Sequence, residues 1–175
     1  MKKICIIGHA RYGKDTVAGI LADMFGYIHM SSSEAASSIF LYEALKDKYG
    51  YRTPIECFDD RVNHRKEWFD MICEYNVNNP GRLASEIMSQ CNIYTGMRSK
   101  REIDACMEKG IFDLVLGVYD PRKELEDASS FDIDIWRDAH IIVSNSSTIS
   151  DLTNKIFKAR ELFISEKNLS LPNIF

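Results

Sequence analysis

No stretch of the sequence approaches the ~20 consecutive apolar residues that a membrane-spanning helix requires. The opening apolar run, Ile4-Cys5-Ile6-Ile7, is short and leads straight into a glycine, a pattern expected of a chain without a signal peptide. Paired cysteines are also lacking. The five present, at positions 5, 57, 73, 91 and 106, form no C-x-x-C pair, and their odd number and scatter argue against a disulfide framework. Reduced thiols in a cytoplasmic protein are the natural expectation. Neither these cysteines nor His29, His64 and His140 show zinc-ligand spacing. Charge of neither sign dominates. A formal net charge of -4 leaves no footprint for general nucleic-acid binding, although it permits a locally basic cleft. The absence of G-x-G-x-x-G removes the dinucleotide fingerprint. Internal repeats and low-complexity segments are absent as well.

What is there is an ordinary globular balance, 45% hydrophobic and 27% charged over 175 residues, a length expected of one domain spanning 1–175. Lys3 to Ile7 reads as a buried parallel strand. Gly8-His9-Ala10-Arg11-Tyr12-Gly13-Lys14 follows it, with the spacing Gly-x-x-x-x-Gly-Lys. Val17, Ile20, Leu21, Met24 and Phe25 then recur at helical spacing up to Gly26. Strand, glycine loop and helix are the three parts of a phosphate-binding loop. Its glycines let backbone N–H groups converge on an anion, and the helix adds its positive dipole end.

Further strands are expected at 27–30, 92–95, 111–119 and 139–144. Helices are expected between them, including one from about 61 to 75, one opened by Pro80, one capped by Ser99 with Glu102 as a capping box, and one after Ser147-Thr148. The fold class is therefore α/β, a five-stranded parallel sheet with helices on both faces. Residues 31–90 read as a helical insertion. Residues 120–138 are polar and charged enough to form a short lid, and the tail after Glu166, with Pro172, reads as an appendage.

A phosphate loop alone does not define a reaction. An Asn-Lys-x-Asp guanine motif is absent, which argues against a GTPase, and the strand ending at Asp120 meets Pro121 where a remodelling ATPase would carry a second acid. The remaining class is a small-molecule kinase. Gly8 through Thr16 resembles the loop of the nucleoside monophosphate kinases, and the form Gly-Lys-Asp-Thr in particular resembles phage-type deoxynucleoside monophosphate kinases. Thr95-Gly96-Met97-Arg98 resembles the family segment whose arginine holds the acceptor phosphate, and 138–145 resembles the segment that ends the last strand beside the adenine, shared with dephospho-coenzyme A kinases.

The resemblance implies ATP-dependent phosphoryl transfer to a (deoxy)nucleoside monophosphate, with Mg2+ as cofactor. It implies ATP contacts from Gly8, His9, Ala10, Arg11, Tyr12, Gly13, Lys14, Asp15, Thr16 and Asn145. Lys14 and Arg98 would act on the transferring group, with Arg122 and Arg137 closing from the lid. Ser31, Arg61, Arg65, Trp68 and Arg98 lie in stretches that could form the acceptor pocket. One departure concerns the metal. The hydroxyl residue that ordinarily follows the lysine is Asp15 here, and Thr16 comes one later, so both are metal candidates, through water. Arg61 and Arg65, i and i+4 on one expected helix, equally suit a solvated face paired with Asp60 or Glu67. Trp68 equally suits the core. The rival readings are another kinase on the same fold, such as a dephospho-coenzyme A kinase, and a nucleotide-binding regulator or ATPase without a small acceptor. No nucleic-acid or membrane partner is implied, and the protein is expected as a monomer or homodimer.

Lys14 generates the first prediction. Its charge is needed in the transition state more than in the fold. Lys14→Ala is expected to give a folded protein with turnover lowered by several orders of magnitude. Near-normal turnover would remove the phosphate-loop assignment.

Overall fold

The computed structural model describes residues 1–125, 131–165 and 173–175, so residues 126–130 of the expected lid and the 166–172 part of the tail lie outside the described residues. Strand β1 (Ile4–Ile7) is the centre of a parallel sheet. On one side it pairs with β3 (Ile93–Thr95), which pairs with β2 (His29–Ser31). On the other side it pairs with β4 (Leu114–Tyr119), then β5 (Ile141–Ser144) and β6 (Asn173–Ile174), giving the order β2-β3-β1-β4-β5-β6.

The sheet therefore has six strands and not the expected five. The extra strand is the chain end expected to be an appendage. It hydrogen-bonds along β5, with Asn173 N donating to His140 O at 3.1 Å and Phe175 N to Ile142 O at 2.9 Å. Two residues carry no periodic pattern, so nothing in the sequence marks them as a strand. Their stabilisation comes from the open edge of β5.

Alternation along the strands explains the layers. Ile4, Ile6, Ile93, Leu114, Leu116, Ile141 and Val143 face one side. Helices α1 (Lys14–Phe25) and α9 (Ile149–Ser165) cover it with Val17, Ala18, Leu21, Leu152, Ile156 and Phe163. Cys5, Ile7, Tyr94, Val115 and Ile142 face the other side. There the cover comes from α2 (Ser32–Ala36), α3 (Tyr42–Tyr49), α4 (Pro54–Asp60), α5 (Arg65–Asn76), α6 (Arg82–Met88) and α7 (Lys100–Glu108). A π-helical turn over Ser37–Leu41 joins α2 to α3. Each fully buried Ile or Leu contributes about 1.5–3 kcal/mol, so the two faces supply most of the drive to fold.

The expected helix from 61 to 75 is broken. A 3-10 turn covers Arg61–Asn63, and His64 leaves helical geometry before α5 begins. The reason is local competition for Asp60. Its carboxylate accepts from Asn63 Nδ2 at 2.6 Å and from Tyr51 Oη at 2.6 Å, and lies 3.0 Å from His64 Nε2. Arg61 and Arg65 consequently do not share a helix face. The capping box at Ser99 is not formed either. Ser99 makes no side-chain cap bond, and the Asp132 carboxylate accepts from Lys100 N instead.

Glu102, the expected capping-box acid, turns toward Asn76, whose Nδ2 donates to it at 2.9 Å while Asn76 Oδ1 accepts from Leu83 N at 3.1 Å. Burial raises the Glu102 carboxyl above its ordinary value of 4.5, and the neighbouring Asp132 carboxylate adds to the shift. As pH rises past that ordinary value, the unfolded chain ionises while the folded chain resists, so stability falls until Glu102 ionises in the folded state too and stays lower above that pH. Glu102→Gln keeps the acceptor for Asn76. It is expected to match the parent in urea denaturation below the ordinary glutamate value and to exceed it at neutral pH. A variant less stable at neutral pH would show that the carboxylate is held by favourable partners.

Candidate functional site

All the described strands are parallel, so their carboxyl ends share one edge, the edge where open α/β sheets bind ligands. Gly8 to Gly13 leaves β1 at that edge. Gly8 passes the backbone of β4 so closely that a Cβ there would lie 2.5 Å from Val118 O, and its φ of +150° adds to the requirement for glycine. Gly13 precedes α1 with φ 91°, and an added Cβ would meet Asn145 Nδ2 at 2.5 Å. Arg11 also takes a positive φ, 64°. No side-chain cap bond forms at Gly13, and the positive dipole end of α1 lies at the loop.

Lys14 turns back over this loop. Its Nζ donates to Gly8 O and His9 O, each at 2.8 Å. Beneath the loop Tyr12 is fully buried, edge-on to Tyr119 at 6.0 Å between centroids and to His9 at 5.2 Å. Asn145, just past β5, ties three elements. Its N donates to Tyr119 O at 2.7 Å, its Nδ2 to Tyr12 O at 3.1 Å, and its O accepts from Arg122 at 2.7 Å. Sequence reasoning assigned Asn145 to ATP; its side chain here holds the loop backbone.

Arg122 forms a fork on Asp120, with Nε–Oδ1 2.8 Å and Nη2–Oδ2 2.9 Å. Arg122 holds the Asp120 carboxyl below its ordinary value. Arg137 leans on Asp138, 3.2 Å away, which also lies 3.6 Å from Lys100. Both expected lid arginines are thus paired with acids in this conformation.

On the other flank, Ser31, Thr95 and Ile6 share one register level across β2, β3 and β1. Ser31 Oγ caps α2 by accepting from Glu34 N at 3.2 Å. Thr95 Oγ1 donates to Asp15 Oδ1 at 3.1 Å and lies 2.9 Å from His29 Nε2. A threonine hydroxyl has one proton, so the His29 nitrogen must be the donor in its bond to Thr95. Burial lowers the His29 pKa, which keeps the ring neutral, with Asp15 opposing more weakly. Arg98 follows buried Met97 and is partly buried itself; its carbonyl accepts from Asp132 N at 3.2 Å. Ser32 packs against Gly96, so the space that glycine leaves is taken by protein. Phe131, 4% exposed, lies on the His9 ring at 4.5 Å.

The structure therefore gathers Gly8–Thr16, Asn145, Arg122, Ser31, Thr95 and Arg98 at one edge of the sheet. Three residues expected at the acceptor pocket behave differently. Trp68 is 4% exposed and packs in the core, so it offers no ring face to a base. Arg61 stacks on Phe58 at 3.7 Å and donates to its carbonyl, and Arg65 is exposed on α5. His29 and Phe131 were missed. Neither belongs to a local motif, and each reaches the site through contacts between distant strands and loops. A comparison with models of protein families returns no match, and no curated protein matches the chain.

Asn145→Ala removes one hydrogen bond to the loop, worth about 1 kcal/mol, or about five-fold in a local opening equilibrium. Hydrogen exchange at the amides of residues 12–16 is expected to rise by about that factor. Unchanged exchange would show that the Tyr12 carbonyl is held by other means.

Proposed function

We propose that the chain transfers the terminal phosphate of ATP to a (deoxy)nucleoside monophosphate, giving ADP and the nucleoside diphosphate. One observation carries the reading: a glycine loop is wound about the Lys14 ammonium at the uncapped N-terminus of α1, on the ligand-binding edge of a parallel sheet. Phosphate oxygens suit the same N–H groups and the same ammonium, so a triphosphate would bind Lys14 alongside the Gly8 and His9 carbonyls. The fold would then be that of a phosphate-loop kinase of the nucleoside monophosphate type.

Arg98 supports an acceptor. It follows β3, adjacent to β1, and so stands at the strand end next to the one that delivers the glycine loop. A guanidinium there can fork two oxygens of an acceptor phosphate and hold it in line with the donor. An acceptor oxygen attacks the terminal phosphorus as the bridging oxygen of ADP leaves, and no covalent intermediate is required. Lys14, Arg98 and the loop amides neutralise the charge that spreads over the transferring group. Arg122 and Arg137 would have to exchange Asp120 and Asp138 for phosphate to contribute.

Magnesium fits such a site. Among the described residues no group of three or more His, Cys, Asp or Glu side chains could hold a metal alone. A carboxylate at Asp15 and a hydroxyl at Thr16, both exposed, suit an ion that takes most of its ligands from phosphates and water. Bound with ATP, the ion would supply charge neutralisation at the outer phosphates.

The described cysteines are free thiols, which agrees with a reducing, cytoplasmic setting. Among the described residues no helix is long and apolar enough to cross a membrane. The protein would work on small molecules, without nucleic acid, as a monomer or homodimer.

The test measures ATP affinity and acceptor-dependent turnover in Arg98→Ala and Arg98→Lys with a panel of ribo- and deoxynucleoside monophosphates. Loss of the fork should cost about 2–5 kcal/mol in acceptor kcat/KM with ATP affinity nearly unchanged. Lysine should recover only part, because it keeps the charge and loses the planar geometry. Full activity in both variants would make Arg98 a surface residue. Hydrolysis by the parent without acceptor dependence would favour a regulator or ATPase.

A further inference from the structure

In the usual phosphate loop the residue after the lysine is Ser or Thr and its hydroxyl meets magnesium, while an aspartate at a neighbouring strand end supplies the carboxylate. This chain has no hydroxyl residue directly after the lysine and no aspartate at the end of β3. The residue after Lys14 is Asp15, and β3, one of the two strands beside β1, ends in Thr95. The two side chains nevertheless meet across 80 residues of sequence, with Thr95 Oγ1 donating to Asp15 Oδ1 at 3.1 Å.

The other strand-end acid near the loop is committed elsewhere. Asp120 Oδ1 accepts from Arg122 N at 3.0 Å and Nε at 2.8 Å, Oδ2 accepts from Nη2 at 2.9 Å, and the side chain is 2% exposed. Asp15 is the opposite case. Its side chain is 81% exposed at the head of α1, and its bond to Thr95 leaves lone pairs open to solvent.

We propose that Asp15 and Thr95 are a reciprocal exchange of the usual hydroxyl and carboxylate, so that Asp15 holds the nucleotide-bound divalent cation and Thr95 orients it. The inference rests on the nucleotide reading above. His29 is a positioning residue in this scheme. Its Nε2–H points into Thr95 Oγ1 at 2.9 Å, and the single proton of that hydroxyl is thereby directed at Asp15.

The exchange has a consequence that a purely structural Asp15–Thr95 tie does not. A fixed carboxylate beside the triphosphate repels it in the absence of metal and attracts the metal complex. The parent should therefore bind nucleotide poorly in chelator and far better with Mg2+. Asp15→Asn should bind metal-free nucleotide more tightly than the parent and gain little from Mg2+.

The experiment titrates ADP by calorimetry into the full chain and its variants, in EDTA and in Mg2+, and reads the ratio of the two dissociation constants. A fall of ten-fold or more in that ratio for Asp15→Asn is expected. Thr95→Val should lower it by a smaller factor. The double variant Asp15→Thr/Thr95→Asp should recover most of the parent ratio, whereas Thr95→Asp alone sets two carboxylates against each other. Asp15→Asn changes one exposed side chain to its isostere, so a folded protein is expected, and thermal melting checks it.

A ratio within two-fold of the parent in Asp15→Asn overturns the assignment while leaving the nucleotide site intact. A fallen ratio that the double variant does not recover overturns the part given to Thr95. If the parent binds no ADP in either buffer, the nucleotide reading falls and this inference with it.

Discussion

The Lys14 ammonium, seated 2.8 Å from the carbonyls of Gly8 and His9, closes the glycine loop on itself. Carbonyl oxygens turned inward would otherwise repel one another and need water. The cation satisfies both and fixes the curvature of the loop. Everything around it serves that ring. Buried Ile6 and Ile7 anchor its start in the sheet, Val17, Ala18 and Leu21 anchor α1 at its end, and Tyr12 pins its middle from below. Asn145 clamps it from β5. A loop held at so many points has little conformational entropy left to lose on meeting an anion, which is the physical meaning of a preorganised site.

The same ring explains the two flanks. On the β4–β5 side, acids and arginines are matched: Asp120 with Arg122, Asp138 with Arg137 and Lys100. The pairs that involve exposed side chains contribute little to stability. Buried Asp120 is different, since its fork with Arg122 and a backbone N–H offsets the cost of taking a carboxylate out of water. On the β2–β3 side His29, Thr95, Ser31 and Asp15 are joined through hydroxyl and imidazole groups, and Arg98 follows β3. The edge is thus asymmetric in its pairing, since Asp120 and Asp138 sit against guanidinium groups while the Asp15 carboxylate takes a hydroxyl from β3.

Much of this was legible in the sequence because it is dictated locally. Apolar runs ending in glycine mark β1 and the loop, and the 3.6-residue spacing of Val17, Leu21 and Phe25 marks α1. What was illegible depends on contacts between distant residues. Asp132 displaces Ser99 as the cap of α7 only because the chain returns from β4 to that helix. The break at His64 follows from three side chains converging on Asp60, which a helical period cannot show. Trp68 suits either an aromatic platform or the core in one dimension and is a core residue in three. Strand β6 exists because β5 leaves an edge, and no pattern within Asn173–Ile174 records that.

The segment after the lid joins the two flanks mechanically. Phe131 packs on the His9 ring at 4.5 Å, so it touches the loop that would hold the donor. The next residue, Asp132, gives its N–H to Arg98 O and its carboxylate to Lys100 N, so it touches the strand end that would hold the acceptor. Ile133 and Ile135, both 4% exposed, bury the continuation of the strap in the core. Two adjacent residues therefore bridge His9 and Arg98, with an apolar anchor directly behind them. Lifting this dipeptide would break both contacts together, because a backbone of two residues cannot move one and spare the other. Loop and β3 end are consequently coupled by the same buried strap that begins α8 (Ile135–Asp138), and the spacing between Lys14 and Arg98 is set by its packing as well as by the sheet.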